Sequence, residues 1–241
     1  MSLSTTPAPA RTDVATARGT APGTSTGFVR RAGVAVAAGA GSWSVACALL
    51  GTTPPAGTWQ ATVVNLAAVA FQIGLMFLVT VQMRTGAIGT GRLARRLLHV
   101  EHGLLSVAIV SSLMWAFTPG LYDTGFFFVI DLFWPLSMLG MAALGVRIAI
   151  AGRWQGVARF WPMVAESWAP VTVPTAFLLP AITQYVGAAH LLVGYVALGV
   201  ILATHPPAPH RRPRLNDRPP PRLPPGRRGA VASAPRGRLA G

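Results

Sequence analysis

Residues 126–150 read FFFVIDLFWPLSMLGMAALGVRIAI, twenty-five residues with one acid near the start and one arginine near the end. At about 1.5 Å per residue a helix of this length is roughly 37 Å long, enough to cross a hydrocarbon core of about 30 Å with some tilt. The stretch therefore predicts a membrane helix. Its acid, Asp131, lies within the apolar run, where a charged side chain at the bilayer centre costs on the order of 3 kcal/mol, so it is expected to face protein or water. Four residues on, Pro135 has no N–H to give to the carbonyl of Asp131, which leaves a carboxylate and a backbone oxygen seeking partners in one place.

Composition extends this reading to most of the chain. Of 241 residues 52% are hydrophobic and only 11% charged, and the mean hydropathy is +0.50, values that describe a membrane protein. The formal net charge of +14 sits in the tails and in two loops beside apolar runs, so it reads as a topology signal, and no nucleic-acid partner is expected. All twenty basic residues are arginine, which excludes Schiff-base chemistry, a P-loop lysine and other lysine-based catalysis. The single Cys47 excludes an internal disulfide, thiolate zinc sites and iron–sulfur clusters.

Six spans are expected: 33–50, 61–81, 97–117, the span around Asp131, 163–182 and 186–204. Gly33, Ala37 and Gly41 fall on one face of the first at four-residue spacing, which permits close helix packing. Arg30 and Arg31 before this span and Ala46-Cys47-Ala48 at its end raise the alternative of a cleaved signal. A plain span is preferred, because Ser44 stands where a lipoprotein signal has leucine. Pro170, Pro174 and Pro180 interrupt the fifth span, whose reading as a full crossing or a re-entrant segment stays open. Loops alternate between arginine-rich and uncharged or acidic, so the positive-inside rule puts both termini in the cytoplasm and the chain in the plasma membrane. The expected organisation is an all-α polytopic bundle over 32–205 between disordered tails at 1–31 and 206–241. From His205 the chain holds ten prolines and nine arginines in thirty-seven residues, a solvated tail whose arginines fix topology first and, as the alternative, bind anionic lipid headgroups.

The acids and histidines of the spans are the candidate ligand- or proton-binding residues. Glu101 and Glu166 are expected in the first turns of helices entering from the cytoplasm, where the dipole favours an anion. Asp131-Leu-Phe-Trp-Pro135 and Glu166-Ser-Trp-Ala-Pro170 share an acid four residues before a proline, and interrupted helices with freed carbonyls hold cations in many transporters. His99 and His102 lie at i and i+3, but no third ligand on this helix completes a metal site, and His205, the one histidine at matching depth for a haem, stands beside Pro206 at a helix end and makes a poor axial ligand. They are expected to pair with Glu101, Glu166 or loop arginines. Depth alone sets Asp131 beside His190, with Asn65, Gln184 and Tyr185 at a similar level, as an outward-facing polar cluster. No catalytic residue, metal or cofactor is expected.

The segment 131–170, DLFWPLSMLGMAALGVRIAIAGRWQGVARFWPMVAESWAP, resembles an uncharacterised family of actinobacterial multi-pass membrane proteins with a W-P-L-S-M-L-G-M helix followed by an arginine–tryptophan loop. The resemblance implies fold and compartment and no activity. The leading functional expectation is a binding, sensing or accessory membrane component, with a membrane-protein partner or a second copy of the chain as candidate partners. The alternatives are a small transporter or proton-coupled permease using Asp131 and Glu166, and a membrane-embedded enzyme. Convergence of the polar residues on one place favours a transporter; a small-residue helix face left open favours an accessory protein.

Overall fold

A computed structural model of the chain describes residues 25–121 and 124–207. The tail expectations for 1–24 and 208–241, the lipid-binding arginines of the C-terminal tail and Asp123 lie outside the described residues. Among the described residues all regular structure is helical: α1 (Thr26–Leu50), α2 (Trp59–Thr85), α3 (Arg92–Phe117), α4 (Gly125–Asp131), α5 (Phe133–Ala151), α6 (Val157–Glu166), α7 (Trp168–Leu178), α8 (Thr183–Leu191) and α9 (Ala197–Thr204). A π turn at Leu192–Val196 joins α8 to α9. Five continuous or nearly continuous helical segments are long and apolar enough to cross a membrane: α1, α2, α3, α4 with α5, and 180–204. The sixth expected span is α6 with α7, broken between Glu166 and Trp168.

Local chemistry sets these boundaries. Ser25, Thr58 and Thr124 each accept a backbone N–H of the first turn at 3.3 Å, and Gly51, Gly86 and Gly152 end α1, α2 and α5 with positive φ. Helix α1 starts at Thr26 rather than Gly33, so Phe28, Arg30 and Arg31 belong to its first turns and not to a disordered tail. The ring of Phe28 lies 4.2 Å from the Arg84 guanidinium and 6.5 Å from the ring of Phe77, contacts that hold this extension against α2. Both acid–proline motifs interrupt their helices one residue after the acid, at Leu132 and at Ser167, because Pro135 and Pro170 cannot donate to the carbonyl four residues back.

The spans pack in chain order into a closed ring. Helix α1 lies on α2, α2 on α3, α3 on α4 and α5, and α5 on α6 and α7; α7 pairs with α8, α6 with the π turn and α9, and α8 and α9 return to α1. Glycine makes the closing contact. A Cβ on Gly33 would sit 2.5 Å from the Gly199 carbonyl oxygen, and one on Gly199 would sit 2.5 Å from the Gly33 oxygen and 2.6 Å from the Ala37 nitrogen. On its other side α1 meets α2 as closely, through Gly39 against Ala70 and Gly74 against Ala35 and Val36. Aromatic rings fill the middle. Trp43 stacks on Phe71 at 5.2 Å and meets Trp134 at 5.7 Å and Trp168 at 5.3 Å, and Phe71 meets Tyr195 edge-on at 4.8 Å. The end of the ring where α2 and α5 finish is filled by Ala87, Ile88 and Trp154, all buried, with the Trp154 indole donating to Thr85 Oγ1 at 3.0 Å.

Candidate functional site

Two carboxyls lie inside this ring. Glu101 is the tenth residue of α3 and Glu166 the tenth and last of α6, and each is about 98–99% buried. The first-turn expectation is therefore corrected for both. The helices start earlier than the apolar pattern suggests, at Arg92 and Val157, since arginine can lie in a helix while its guanidinium reaches the interface. The added turns carry the acids inward, and Glu166 ends up at a helix C-terminus, where the dipole opposes an anion.

Neutral hydroxyls serve both acids. Ser137 of α5 donates to Glu101 Oε1 at 2.5 Å, and Tyr195 of the π turn donates to Glu166 Oε2 at 3.1 Å. Helix α5 runs between the two with glycine at each approach: Glu101 Oε2 lies against Gly140, and a Cβ on Gly145 would meet Glu166 Cγ at 3.0 Å and the Pro162 carbonyl oxygen at 2.9 Å. Glycine also lets the π turn approach α6, since a Cβ on Gly194 would fall 2.9 Å from the Ala165 Cα. The π turn rotates Tyr195 into the ring, where it is fully buried between Phe71 and Glu166.

Among the described residues neither carboxyl is paired with an arginine or a histidine. The two acids are near enough for their charges to act on each other. Gln82 of α2 is fully buried, and its amide acts on the Glu166 carboxyl in a contact looser than a regular hydrogen bond. Polar burial of this kind costs about 1–3 kcal/mol per group when nothing satisfies it. Pro170 leaves the backbone carbonyl of Glu166 without its helical donor as well. The arrangement is rich in oxygen acceptors, poor in cations and enclosed.

The other candidates lie elsewhere. Asp131 accepts from Ser111 Oγ and Trp115 Nε1 of α3, both at 3.0 Å. His190 Nε2 meets Ser167 Oγ at 3.1 Å, at the break between α6 and α7, and its Nδ1 has no partner. The expected Asp131–His190 pair is thus not formed, since ring closure in chain order gives α4 to α3 and α8 to α7 and α1. Nor does the outward polar cluster assemble: Asn65 bonds back to the Ala61 carbonyl and Tyr185 is exposed. His99 and His102 do not meet Glu101 or Glu166. His99 Nδ1 meets the Arg95 carbonyl at 2.6 Å; His102 Nδ1 meets the Leu98 carbonyl at 2.9 Å, and its Nε2 meets Thr80 Oγ1 at 3.1 Å. Among the described residues no three His, Cys, Asp or Glu side chains gather as a metal site.

Tyr195, Ser137 and Gln82 were not expected as site residues. The available signal was scarcity, since Tyr195 is one of three tyrosines in the chain and its phenol falls within an apolar run. No family model, curated protein or solved structure matches the chain.

Proposed function

We propose that the chain is a small ion-coupled permease of the plasma membrane, in which Glu101 and Glu166 carry a proton or small cation through the interior of the ring. One observation carries the reading: two acids from different helices converge in an enclosed place without a basic partner. An uncompensated carboxylate in an apolar interior is strongly disfavoured, so each acid either holds a proton or takes a cation, and exchange between those states is what coupling needs. The breaks at Glu166 and in the last span, beside this place, supply the kind of irregular backbone that transporters use around their ion sites.

The same criteria weigh against an accessory component. Gly33, Ala37 and Gly41 of α1, the small-residue face that a partner helix would need, are taken up by α9 and the π turn of the same chain. Asp131 drops out of the permease reading, because Ser111 and Trp115 serve its carboxylate outside the central group. In this proposal both termini and the loops at Arg92 and Arg153 face the cytoplasm.

Reconstitution into liposomes tests the reading. With a pH-sensitive dye inside and an imposed negative potential, wild-type protein is expected to admit protons faster than empty liposomes do. Glu166→Gln and Glu101→Gln, which keep shape and remove the ionisable group, are each expected to lower that rate at least tenfold. Wild-type liposomes no faster than empty ones would remove the permease and restore the accessory reading.

A further inference from the structure

At the end of the ring where α2 and α5 finish, the loop from α5 to α6 borders a cleft of about 580 Å³, lined by Gly152, Trp154, Gln155, Val157, Arg159 and Phe160. Its lining is held in place. Trp154 is buried and bonded to Thr85, and Arg159 Nε donates to the Ala149 carbonyl of α5 at 2.9 Å. The rest of the Arg159 guanidinium lies over Gly152, where a Cβ would stand 3.4 Å from Cζ and 3.5 and 3.6 Å from Nη2 and Nη1. Among the described residues no acid pairs with it: Glu101, Asp131 and Glu166 are served by hydroxyls and an indole elsewhere. Arg153, on the same loop, is half-buried, and its Nη1 is buried without a hydrogen-bond partner. A guanidinium cannot shed its charge, so the loop holds two cations for which the described chain offers no anion. Beside the cleft, Val157, Phe160 and Val164 are exposed and fall at i, i+3 and i+7, one apolar face of α6 leading from the helix end toward the middle of the membrane.

We infer that this cleft binds the phosphate headgroup of an anionic phospholipid, with Arg159 as its main ligand and an acyl chain lying along Val157, Phe160 and Val164. The inference is independent of the permease reading. With Nε given to Ala149, the Nη1 and Nη2 groups of Arg159 remain for phosphate oxygens, the geometry that a guanidinium suits better than an ammonium. Helix α6 begins at the cleft with no acid in its first turn and no side-chain cap, so its dipole adds to the attraction. The cleft volume falls within the range of about 300–1,000 Å³ usual for small-molecule sites. A zwitterionic choline headgroup would bring its own cation up to Arg153 and Arg159, which disfavours it. Inorganic phosphate would satisfy the guanidinium but leave the Val157–Phe160–Val164 face uncovered. Arginine at a helix end beside an apolar face is where headgroup and chain of one lipid can both be met.

The experiment is thermal unfolding of the full chain in a non-ionic detergent, titrated with phosphatidylglycerol, phosphatidylcholine or inorganic phosphate at constant ionic strength. Phosphatidylglycerol is expected to raise Tm saturably, by roughly 5–10 °C at a hundredfold excess over Kd, while the other two do not. Arg159→Gln is expected to raise the half-saturating phosphatidylglycerol concentration at least tenfold. Because Arg159 also closes the last turn of α5, a second variant reads the cleft without touching that bond. Gln155 is exposed and lines the cleft, so Gln155→Glu is expected to weaken the lipid effect about tenfold while leaving Tm in phosphatidylcholine unchanged. Arg95→Gln, an exposed arginine of α3 at the same end but outside the cleft, is expected to change half-saturation less than twofold. An equal rise with phosphatidylcholine, or a phosphatidylglycerol effect that survives both Arg159→Gln and Gln155→Glu, would overturn the assignment. So would a loss in Arg95→Gln as large as in Arg159→Gln, which would mean diffuse surface charge and no site. A full rise with inorganic phosphate alone would replace the lipid by a free anion.

Discussion

Gly140 and Gly145 are where a single methyl tests the arrangement of the acids. A Cβ at 140 would overlap Glu101 Oε2, and at 145 it would sit 2.9 Å from a backbone oxygen of α6. Gly140→Ala and Gly145→Ala are each expected to destabilise the protein by about 1–3 kcal/mol, the usual range for overpacking. Gly103→Ala, where a Cβ meets nothing within 4 Å, is expected to be neutral or slightly stabilising. Thermal melts of the three variants in one detergent check the order. Asp131 and His190 give a second test at this scale. Their partners are separate, so the losses from Asp131→Asn and His190→Gln are expected to add in the double variant to within about 0.5 kcal/mol. A double variant no worse than the worse single would reinstate the coupled pair that depth alone suggested. That suggestion failed for a physical reason: hydropathy orders residues along the membrane normal but carries no information on which helices are neighbours.

The helix breaks and the small face were legible in the sequence at the scale of the element. Proline lacks the donor that continues a helix, so Pro135 and Pro170 place a break beside each acid whatever surrounds them. Gly33, Ala37 and Gly41 likewise announce close packing, and α9 meets them with Gly199. The π turn at Leu192–Val196 was not legible, because it answers to a contact, Gly194 against the Ala165 backbone, between residues far apart in the chain. The hydroxyl that Tyr195 brings to Glu166 was hidden for the same reason. The α1–α9 crossing is the element whose disruption is expected to matter most. Gly199→Ala puts a methyl among the Gly33 oxygen, the Ala37 nitrogen and the Ala37 Cβ, with backbone on two sides that cannot yield as a side chain can. A loss of about 1–3 kcal/mol, at least as large as at Gly145, is expected in the same melts.

At the scale of the whole molecule the open matter is parity, since five crossings put the termini on opposite sides and six put them on the same side. Helices α6 and α7 together span residues 157–178, roughly 33 Å at about 1.5 Å per residue, which is enough for a hydrocarbon core of about 30 Å. Their neighbours change along that length. α7 pairs with α8 near the turn at Pro180–Ile182, and α6 pairs with the π turn and α9 near the chain's return to its starting end. A re-entrant segment would fold back before reaching the far end of its partner; this one runs antiparallel to the last span throughout. On the proposed topology the break at Ser167 interrupts a crossing, and six crossings are expected. Labelling of intact cells with a membrane-impermeant maleimide decides it. The one native thiol, Cys47, is buried and is not expected to react. Thr53→Cys, in the loop after α1, and Ala181→Cys, in the turn after α7, are exposed and are both expected to label from outside. Gln155→Cys, in the arginine-flanked loop between α5 and α6, is expected to label only after lysis. Ala181→Cys that labels only together with Gln155→Cys, while Thr53→Cys labels in intact cells, would make α6 and α7 re-entrant. The site at Glu166 would then open toward one side of the membrane alone.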